Sequence, residues 1–143
     1  MYEERILGLD FGSKTVGVAI SDPLLLTAQG LEIIRREKPA KLRRTLARIG
    51  EIIGEYGVTA IVLGLPLNMD DSEGERCVRT REFADMLDKR FGLPITFVDE
   101  RLTTVEADEV MNEMRIKGDK RKEYVDEIAA MFILQDYLNS RNN

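Results

Sequence analysis

The hydrophobic period of this sequence changes near residue 40, and this change restricts the possible folds more than any other feature. Before residue 40, three short apolar runs are separated by turn-forming residues, which is the pattern of successive β-strands. These runs cover residues 5–10, 16–21 and 31–35. After residue 40, apolar residues recur every three or four positions, as in amphipathic helices, and two further short apolar runs lie between these segments. Successive strands followed by strand–helix alternation predict a mixed sheet, antiparallel in its first part and parallel in its second.

The second part of the chain contains four predicted helices and two predicted strands. The helices cover 40–56, 73–91, 103–118 and 124–139, and the strands cover 60–64 and 95–98. The basic run 120–122 is predicted to be a loop before the last helix. We therefore predict an α/β fold with a mixed five-stranded sheet, formed by a three-stranded antiparallel meander plus parallel strands, with helices on both faces. A length of 143 residues predicts one domain over residues 1–143.

Composition excludes several classes of catalytic site. The sequence has no histidine, which excludes Ser-His-Asp and Cys-His nucleophile systems, histidine zinc sites and histidine as a general base. Cys77 is the single cysteine and cannot form an internal disulfide, so we expect a reducing compartment, the cytoplasm. The longest apolar run, 128–134, is far shorter than the roughly 20 residues that span a bilayer, and the charged first residues predict no secretory signal.

Acidic residues at the ends of predicted elements are the candidates for chemistry. Asp10 ends the first strand, and Asp99 and Glu100 follow strand 95–98, at the end where open α/β sheets bind ligands. Asp126 lies near the start of the last helix, beside small alanines. Each acid alone also fits a structural role, as a turn cap, a solvated loop acid or a partner of the helix dipole. Strand periodicity does not choose between Asp99 and Glu100, because adjacent residues point to opposite faces.

If Asp10, Glu100 and Asp126 converge, their mutual repulsion raises one or more of their pKa values unless cations neutralise them. Oxygen ligands alone suit Mg²⁺ or Mn²⁺. Two such ions about 3.5 to 4 Å apart can activate a water molecule and stabilise the leaving oxygen of a phosphodiester. This chemistry needs no histidine, so the composition is consistent with a metal-dependent nuclease.

Four sequence motifs indicate the protein family to which the chain is similar. They are LDFGSKTVGVA at 9–19, GLPLN at 64–68, VDERLTT at 98–104 and VDEIAA at 125–130. In this order and spacing they resemble the YqgF family of RNase H-like nucleases, also described as Holliday junction resolvase-like or pre-16S rRNA nucleases. The resemblance covers about residues 5–138 and implies an RNase H-like fold. It also implies that Asp10, Glu100 and Asp126 are the catalytic, metal-binding acids. One departure is Asp71, where the family pattern has glycine.

The resemblance implies a nucleic-acid partner. Similar proteins mature the 5′ end of precursor 16S rRNA in the bacterial cytoplasm, so precursor rRNA is the favoured substrate. Related enzymes resolve four-way DNA junctions, so branched DNA is the alternative. The sequence leaves the oligomeric state open between a monomer and a homodimer.

Basic side chains are the candidates for contact with substrate phosphates. A formal net charge of −5, from 21 basic and 26 acidic residues, argues against a uniformly basic nucleic-acid surface, but local clusters occur at 35–48 and 115–122. We expect phosphate contacts from five residues, which are Lys14, Arg101, Lys120, Arg121 and Lys122. The other interpretation of these residues is a solvated turn, helix face or loop.

Two other classes of function are alternatives. Residues 10–15 also resemble the phosphate loop of the actin and sugar-kinase superfamily, which would make the chain a nucleotide-binding module. Those proteins close two such domains around ATP, and the length of this chain argues against that. A non-enzymatic nucleic-acid-binding domain is the third class, and the presence of all three acids argues against it.

Overall fold

The fold is built on one mixed β-sheet. The computed structural model describes residues 4–67, 70, 73–100, 109, 112–113 and 119–141, with the backbone alone for 119–123. The strands are β1 Arg5–Phe11, β2 Thr15–Ser21, β3 Ala28–Arg35, β4 Val58–Leu65 and β5 Ile95–Asp99. They lie in the order β3-β2-β1-β4-β5. The pairs β1–β2 and β2–β3 are antiparallel, and β1–β4 and β4–β5 are parallel, which confirms the predicted sheet.

Helices cover both faces of this sheet, as predicted. The described helices are α1 Arg43–Tyr56, α2 Glu75–Phe91 and α3 Asp119–Arg141. Strand alternation divides the core. Leu7 and Leu9 of β1 pack with α1 and α2, whereas Ile6 packs with α3 on the other face. Within the described part of the chain, no helix combines the length and the apolar character needed to cross a membrane.

The start of β3 was predicted wrongly. The strand begins at Ala28 rather than at residue 31, because Gln29 and Gly30 interrupt the apolar pattern yet belong to the ladder with β2. The Ala28 N–H also donates to Gln135 Oε1 of α3 at 2.9 Å, and the two residues are 107 positions apart in the chain. Gly30 faces α3 as well, since a Cβ there would lie 2.7 Å from Glu127 Oε1. Local pattern does not reveal either contact.

The start of the last helix was also predicted wrongly. Residues 120–122 are helical, not a loop, because α3 begins at Asp119. This segment has no glycine or proline, and lysine, arginine and glutamate are good helix formers, so its polar composition is consistent with the first turn of a helix. Most of the helix predicted over 103–118 lies outside the described residues, although Glu109, Asn112 and Glu113 are helical.

Glycines let α3 approach the sheet closely. A Cβ on Gly17 of β2 would overlap the backbone carbonyl of Asp126, and a Cβ on Gly64 of β4 would lie 2.5 Å from Ile133 Cδ1. The Gly17 contact is with backbone and needs a residue without a side chain, whereas the end of the Ile133 side chain can move. Gly17 therefore lets the part of α3 around Asp126 lie directly over β2, beside the carboxyl end of β1.

Candidate active site

Asp10 is a buried acid near the carboxyl end of β1. It shares the α3 face of the sheet with Ile6, pairs with Gly17 of β2, and is only 6% exposed. Among the described residues, its Oδ1 has no hydrogen-bond partner. A buried carboxylate oxygen without a partner is costly, so this atom is available to a ligand that offers positive charge.

Glu100 lies on the same face as Asp10, whereas Asp99 does not. Val98 packs on the α3 side and Phe97 on the α1 and α2 side. Alternation therefore directs Glu100 toward Asp10. Glu100 is 8% exposed, and Asp99 is exposed. Gly64 makes room for Glu100, because a Cβ there would lie 2.9 Å from Glu100 Oε2.

Asp126 reaches the site from α3. Its Oδ2 accepts a hydrogen bond from Thr15 Oγ1. Thr15 lies at the start of β2, 111 positions earlier in the chain. Asp126 is partly buried. The hydrogen bond holds its carboxylate against the β1–β2 hairpin, close to the end of β1.

The three acids interact electrostatically. Burial raises the pKa of Asp10 well above its ordinary value, and the charge of Glu100, a hydrogen bond with Glu100 and the charge of Asp126 raise it further. Arg76 of α2 opposes this rise in pKa. Its Nη2 lies 3.8 Å from Glu100 Oε1. The site is therefore a cluster of coupled carboxyls with one cation at its edge.

These acids surround one cavity of about 470 Å³. The start of α2 and the segment after β4 complete its wall, through Gly74, Glu75, Arg76, Pro66 and Leu67. Oxygen ligands and the unpartnered Oδ1 of Asp10 fit a hard divalent cation such as Mg²⁺ or Mn²⁺. In the described part of the chain, no three Asp, Glu, Cys or His side chains are close enough to hold one ion directly. Asp126, held by Thr15, would then contact an ion at Asp10 and Glu100 through a bridging water molecule.

The predicted phosphate-binding residues are only partly described. Lys14 is exposed on the β1–β2 turn and lines neither this cavity nor the one described next. Arg101 lies outside the described residues, and so do the side chains of Lys120, Arg121 and Lys122. Their roles stay predictions.

Sequence reasoning missed the arginines near the acids. Arg36, Arg76 and Arg79 line a second cavity of about 650 Å³, which shares Arg76 and Asp126 with the first. The spacing of Arg76 and Arg79 places them on one face of α2, and this signal could have found them. No local signal connects Thr15 with Asp126.

Solved structures establish the class of fold. The chain superposes on Thermus thermophilus RuvC in complex with a Holliday junction with a TM-score of 0.60 and 17% identity, over 98% of this chain and 96% of that one. A fowlpox virus resolvase matches with a TM-score of 0.56 and 11% identity, over 97% and 99% of the two chains. The chain thus has the RNase H-like fold of RuvC-like resolvases.

Sequence comparisons establish the family. The model of the RuvX family, described as Holliday junction resolvase, matches residues 4–140. A protein of Agathobacter rectalis named "Putative pre-16S rRNA nuclease" is 66% identical over 139 residues, 97% of each chain. A protein of the same name from Lachnospira eligens is 58% identical over 137 residues, 96% of this chain and 98% of its own. This chain belongs to the RuvX family, which is the YqgF family under another name. The family membership predicted from the four motifs is therefore confirmed.

Proposed function

We propose that this chain is a divalent-metal-dependent nuclease that hydrolyses phosphodiester bonds in precursor 16S rRNA. The observation that carries the proposal is the convergence of Asp10, Glu100 and Asp126, from three separate elements, around one cavity. The names of relatives 66% and 58% identical to this chain support the substrate. In this proposal, residues 1–143 act as one catalytic domain in the cytoplasm.

The roles of the residues follow from their surroundings. Asp10, Glu100 and Asp126 would hold the cation, which supplies activation of water and stabilisation of negative charge when bound. Thr15 orients Asp126 through its hydroxyl. Arg76 lies at the edge of the acid cluster with an exposed side chain, so its guanidinium can contact a phosphate oxygen of the substrate. Lys14, Arg101, Lys120, Arg121 and Lys122 are proposed as further phosphate contacts.

Cleavage of end-labelled precursor 16S rRNA, in Mn²⁺, in Mg²⁺ and in EDTA, tests the proposal. We expect EDTA to reduce cleavage below detection because it removes the cation. Asp10→Asn and Glu100→Gln should do the same because each removes a carboxylate ligand of that cation. Asp99→Asn is the matched control, since it neutralises the neighbouring acid on the opposite face, and it should retain cleavage. Metal-dependent cleavage by folded Asp10→Asn protein would show that the proposed site is wrong.

A four-way DNA junction is the second candidate substrate. The description of the matching family model as a Holliday junction resolvase favours it. The junction is therefore assayed in parallel with the RNA, under the same metal conditions. Cleavage of the junction alone would assign the same chemistry to recombination, and a two-fold symmetric dimer would then suit the near-symmetric substrate. The dimer is tested by measuring the mass of the protein–junction complex.

A further inference from the structure

The second cavity lies beside the acid cluster, between the β1–β2 turn, the segment after β3 and α2. Its volume is about 650 Å³, within the range of roughly 300 to 1,000 Å³ that small-molecule sites occupy. Three arginines and two acids, Glu82 and Asp126, line it together with apolar side chains that include Phe11, Leu42 and Met86. The combination of guanidinium groups and apolar surface is the feature to be explained.

Arg36 is a fixed positive charge in the wall of this cavity. Its guanidinium stacks 4.9 Å from the centroid of the Phe11 ring, and it donates to Gly12 O at 2.7 Å and to Pro39 O at 3.1 Å. Within the described ranges, no carboxylate forms an ion pair with it. Burial lowers its pKa, yet a guanidinium stays charged at neutral pH. The wall therefore carries a partly desolvated cation that attracts an anion.

Arg79 supplies an exposed positive charge to the same cavity. Its Nη2 pairs with Glu75 Oε1 at 2.6 Å, and both side chains are exposed. Exposed ion pairs of this kind are weak, so Arg79 can exchange Glu75 for a phosphate at little cost. Together with Arg76 and Arg36, it offers a phosphate several donors.

The apolar part of the cavity includes a side chain that the core does not bury. Met86 of α2 is 41% exposed and lines the cavity. Phe11 is fixed beneath by stacking on Phe83, with ring centroids 4.2 Å apart and an interplanar angle of 13°. Nucleobases stack on such apolar and guanidinium surfaces, whereas their phosphates bind the arginines.

We propose that this cavity binds one unpaired nucleotide of the substrate, next to the phosphodiester that is cleaved. The cavity shares Arg76 and Asp126 with the acid cluster, so a nucleotide in it lies directly beside the proposed reaction centre. This inference rests on the proposed nuclease function and adds to it that the strand flanking the cut is unpaired there.

Salt-dependent binding tests the charged part of the subsite. Binding of a fluorescent single-stranded RNA is measured by anisotropy with the Asp10→Asn protein, so that no cleavage occurs. Adding Arg79→Ala should reduce the slope of log affinity against log salt by about 0.7, the value for one lost phosphate contact on a single strand. Arg90→Ala makes the same change of side chain about 16 Å further along α2 and should leave the slope unchanged.

The apolar part of the subsite is tested in the same assay. Met86→Ala should weaken binding about two- to tenfold, as expected for loss of a thioether–ring contact, without a change in slope. Val78→Ala removes another exposed apolar side chain of α2, 51% exposed, and should have no effect. The base is then removed from the RNA at one position at a time. The Asp10→Asn protein should bind more weakly when one particular base is missing, whereas the protein that also carries Met86→Ala should show no such loss of affinity at any position.

Equal slopes for Arg79→Ala and Arg90→Ala, or equal affinities for Met86→Ala and Val78→Ala, would overturn the subsite. Cleavage by the wild-type protein together with equal slopes rejects the subsite and keeps the nuclease. The expected binding pattern without cleavage of RNA or DNA would keep a nucleotide-binding cavity but reject the proposed nuclease function, and with it the position of the nucleotide beside a cut.

Discussion

Asp10 is buried at the end of β1, with one carboxylate oxygen that no described residue hydrogen-bonds. Its pKa is raised by burial and then by Glu100 and Asp126, so its charged form is disfavoured in the fold. A raised folded-state pKa in an acid means that the charged form destabilises the protein at neutral pH. Binding of a cation removes this penalty, which links local electrostatics to the proposed chemistry.

Asp10→Asn should therefore stabilise the metal-free protein while it abolishes the proposed cleavage. Replacing the charge by an amide of the same shape should raise Tm by about 2 to 4 °C, the shift that about 1 kcal/mol produces in a chain of this size. Tm is measured in EDTA at neutral pH, with the exposed Asp85→Asn as control. A lower Tm for Asp10→Asn than for Asp85→Asn would contradict this account.

Thr15 should act as a positioning residue for Asp126. Thr15→Val removes the hydroxyl that bonds Asp126 Oδ2 and should weaken apparent Mn²⁺ affinity by about tenfold, within the range for such supporting residues. Thr15→Ser keeps the hydroxyl and should restore the affinity. The Mn²⁺ dependence of cleavage is the measurement. Equal Mn²⁺ affinity in the valine and serine variants would limit Thr15 to a structural role.

Individual site residues could be predicted where their neighbours in the sequence mark their position in a strand or helix. Asp10 ends a strand and Glu100 follows one, so both could be singled out from the sequence. Strand periodicity left Asp99 and Glu100 open, the family resemblance implied Glu100, and the packing of β5 directs Glu100 to the face of Asp10. Arg36 donates to Gly12 O, 24 residues away, and Thr15 bonds a residue much further along the chain. Contacts over such separations leave no pattern in one sequence.

Among the elements, α3 depends on a glycine in the strand beneath it. Gly17→Ala would place a Cβ on the carbonyl of Asp126 and should destabilise the fold by about 3 kcal/mol, a loss of about 6 to 12 °C in Tm. Gly54→Ala is the control, because no atom lies within 4 Å of its Cβ. This helical position should gain about 0.4 to 1 kcal/mol. Equal Tm values for the two variants would show that α3 does not need this close approach.

The loop between β2 and β3 is held by one carboxylate. Asp22 accepts backbone hydrogen bonds from Thr27, Leu26 and Leu24 at 2.8, 2.7 and 3.2 Å, and these lower its pKa. An acid with a lowered pKa stabilises the fold above its ordinary pKa, here 3.8, and this contribution is lost as pH falls through the lowered value.

Asp22→Ala should therefore lower Tm at pH 7, and its difference from wild type should shrink as the pH falls below about 4. Thermal unfolding between pH 2.5 and pH 7 measures this, with Asp85→Ala as control. A difference that is constant over the whole range would mean that the charge of Asp22 does not stabilise the loop.

Elements were predictable where burial determines composition. Buried strands β1, β2 and β4 are almost wholly apolar, so their positions were found within two residues. The starts of β3 and α3 were missed because contacts with distant elements, or helical turns of polar residues, do not leave an apolar pattern. The hairpin and the helical crossovers predicted a mixed sheet of antiparallel and parallel strands, but the spatial order β3-β2-β1-β4-β5 came from the structure.

For the whole molecule, charge is distributed unevenly. The formal net charge is −5, yet a cavity with three arginines lies beside the acid cluster. Binding of a polyanion then depends on this local arrangement and not on net charge. A divalent cation in the acid cluster would reduce the negative charge beside these arginines.

Mn²⁺ should stabilise the folded wild-type protein. At a concentration about 100 times Kd, binding contributes about 2.7 kcal/mol, which corresponds to a rise of about 5 to 10 °C in Tm. EDTA should reverse the shift, and Asp10→Asn should abolish most of it. Titration of Mn²⁺ with thermal unfolding gives the measurement. A shift of the same size in Asp10→Asn would place the ion elsewhere.

The hydrogen bond between Thr15 and Asp126 joins residues 111 positions apart. During synthesis, the first strands are therefore complete long before residue 126 has left the ribosome. Until then, the nascent chain lacks the third acid of the proposed site. If the three acids act together as proposed, the nascent chain cannot cleave the RNA around it before residue 126 has emerged and packed against β2.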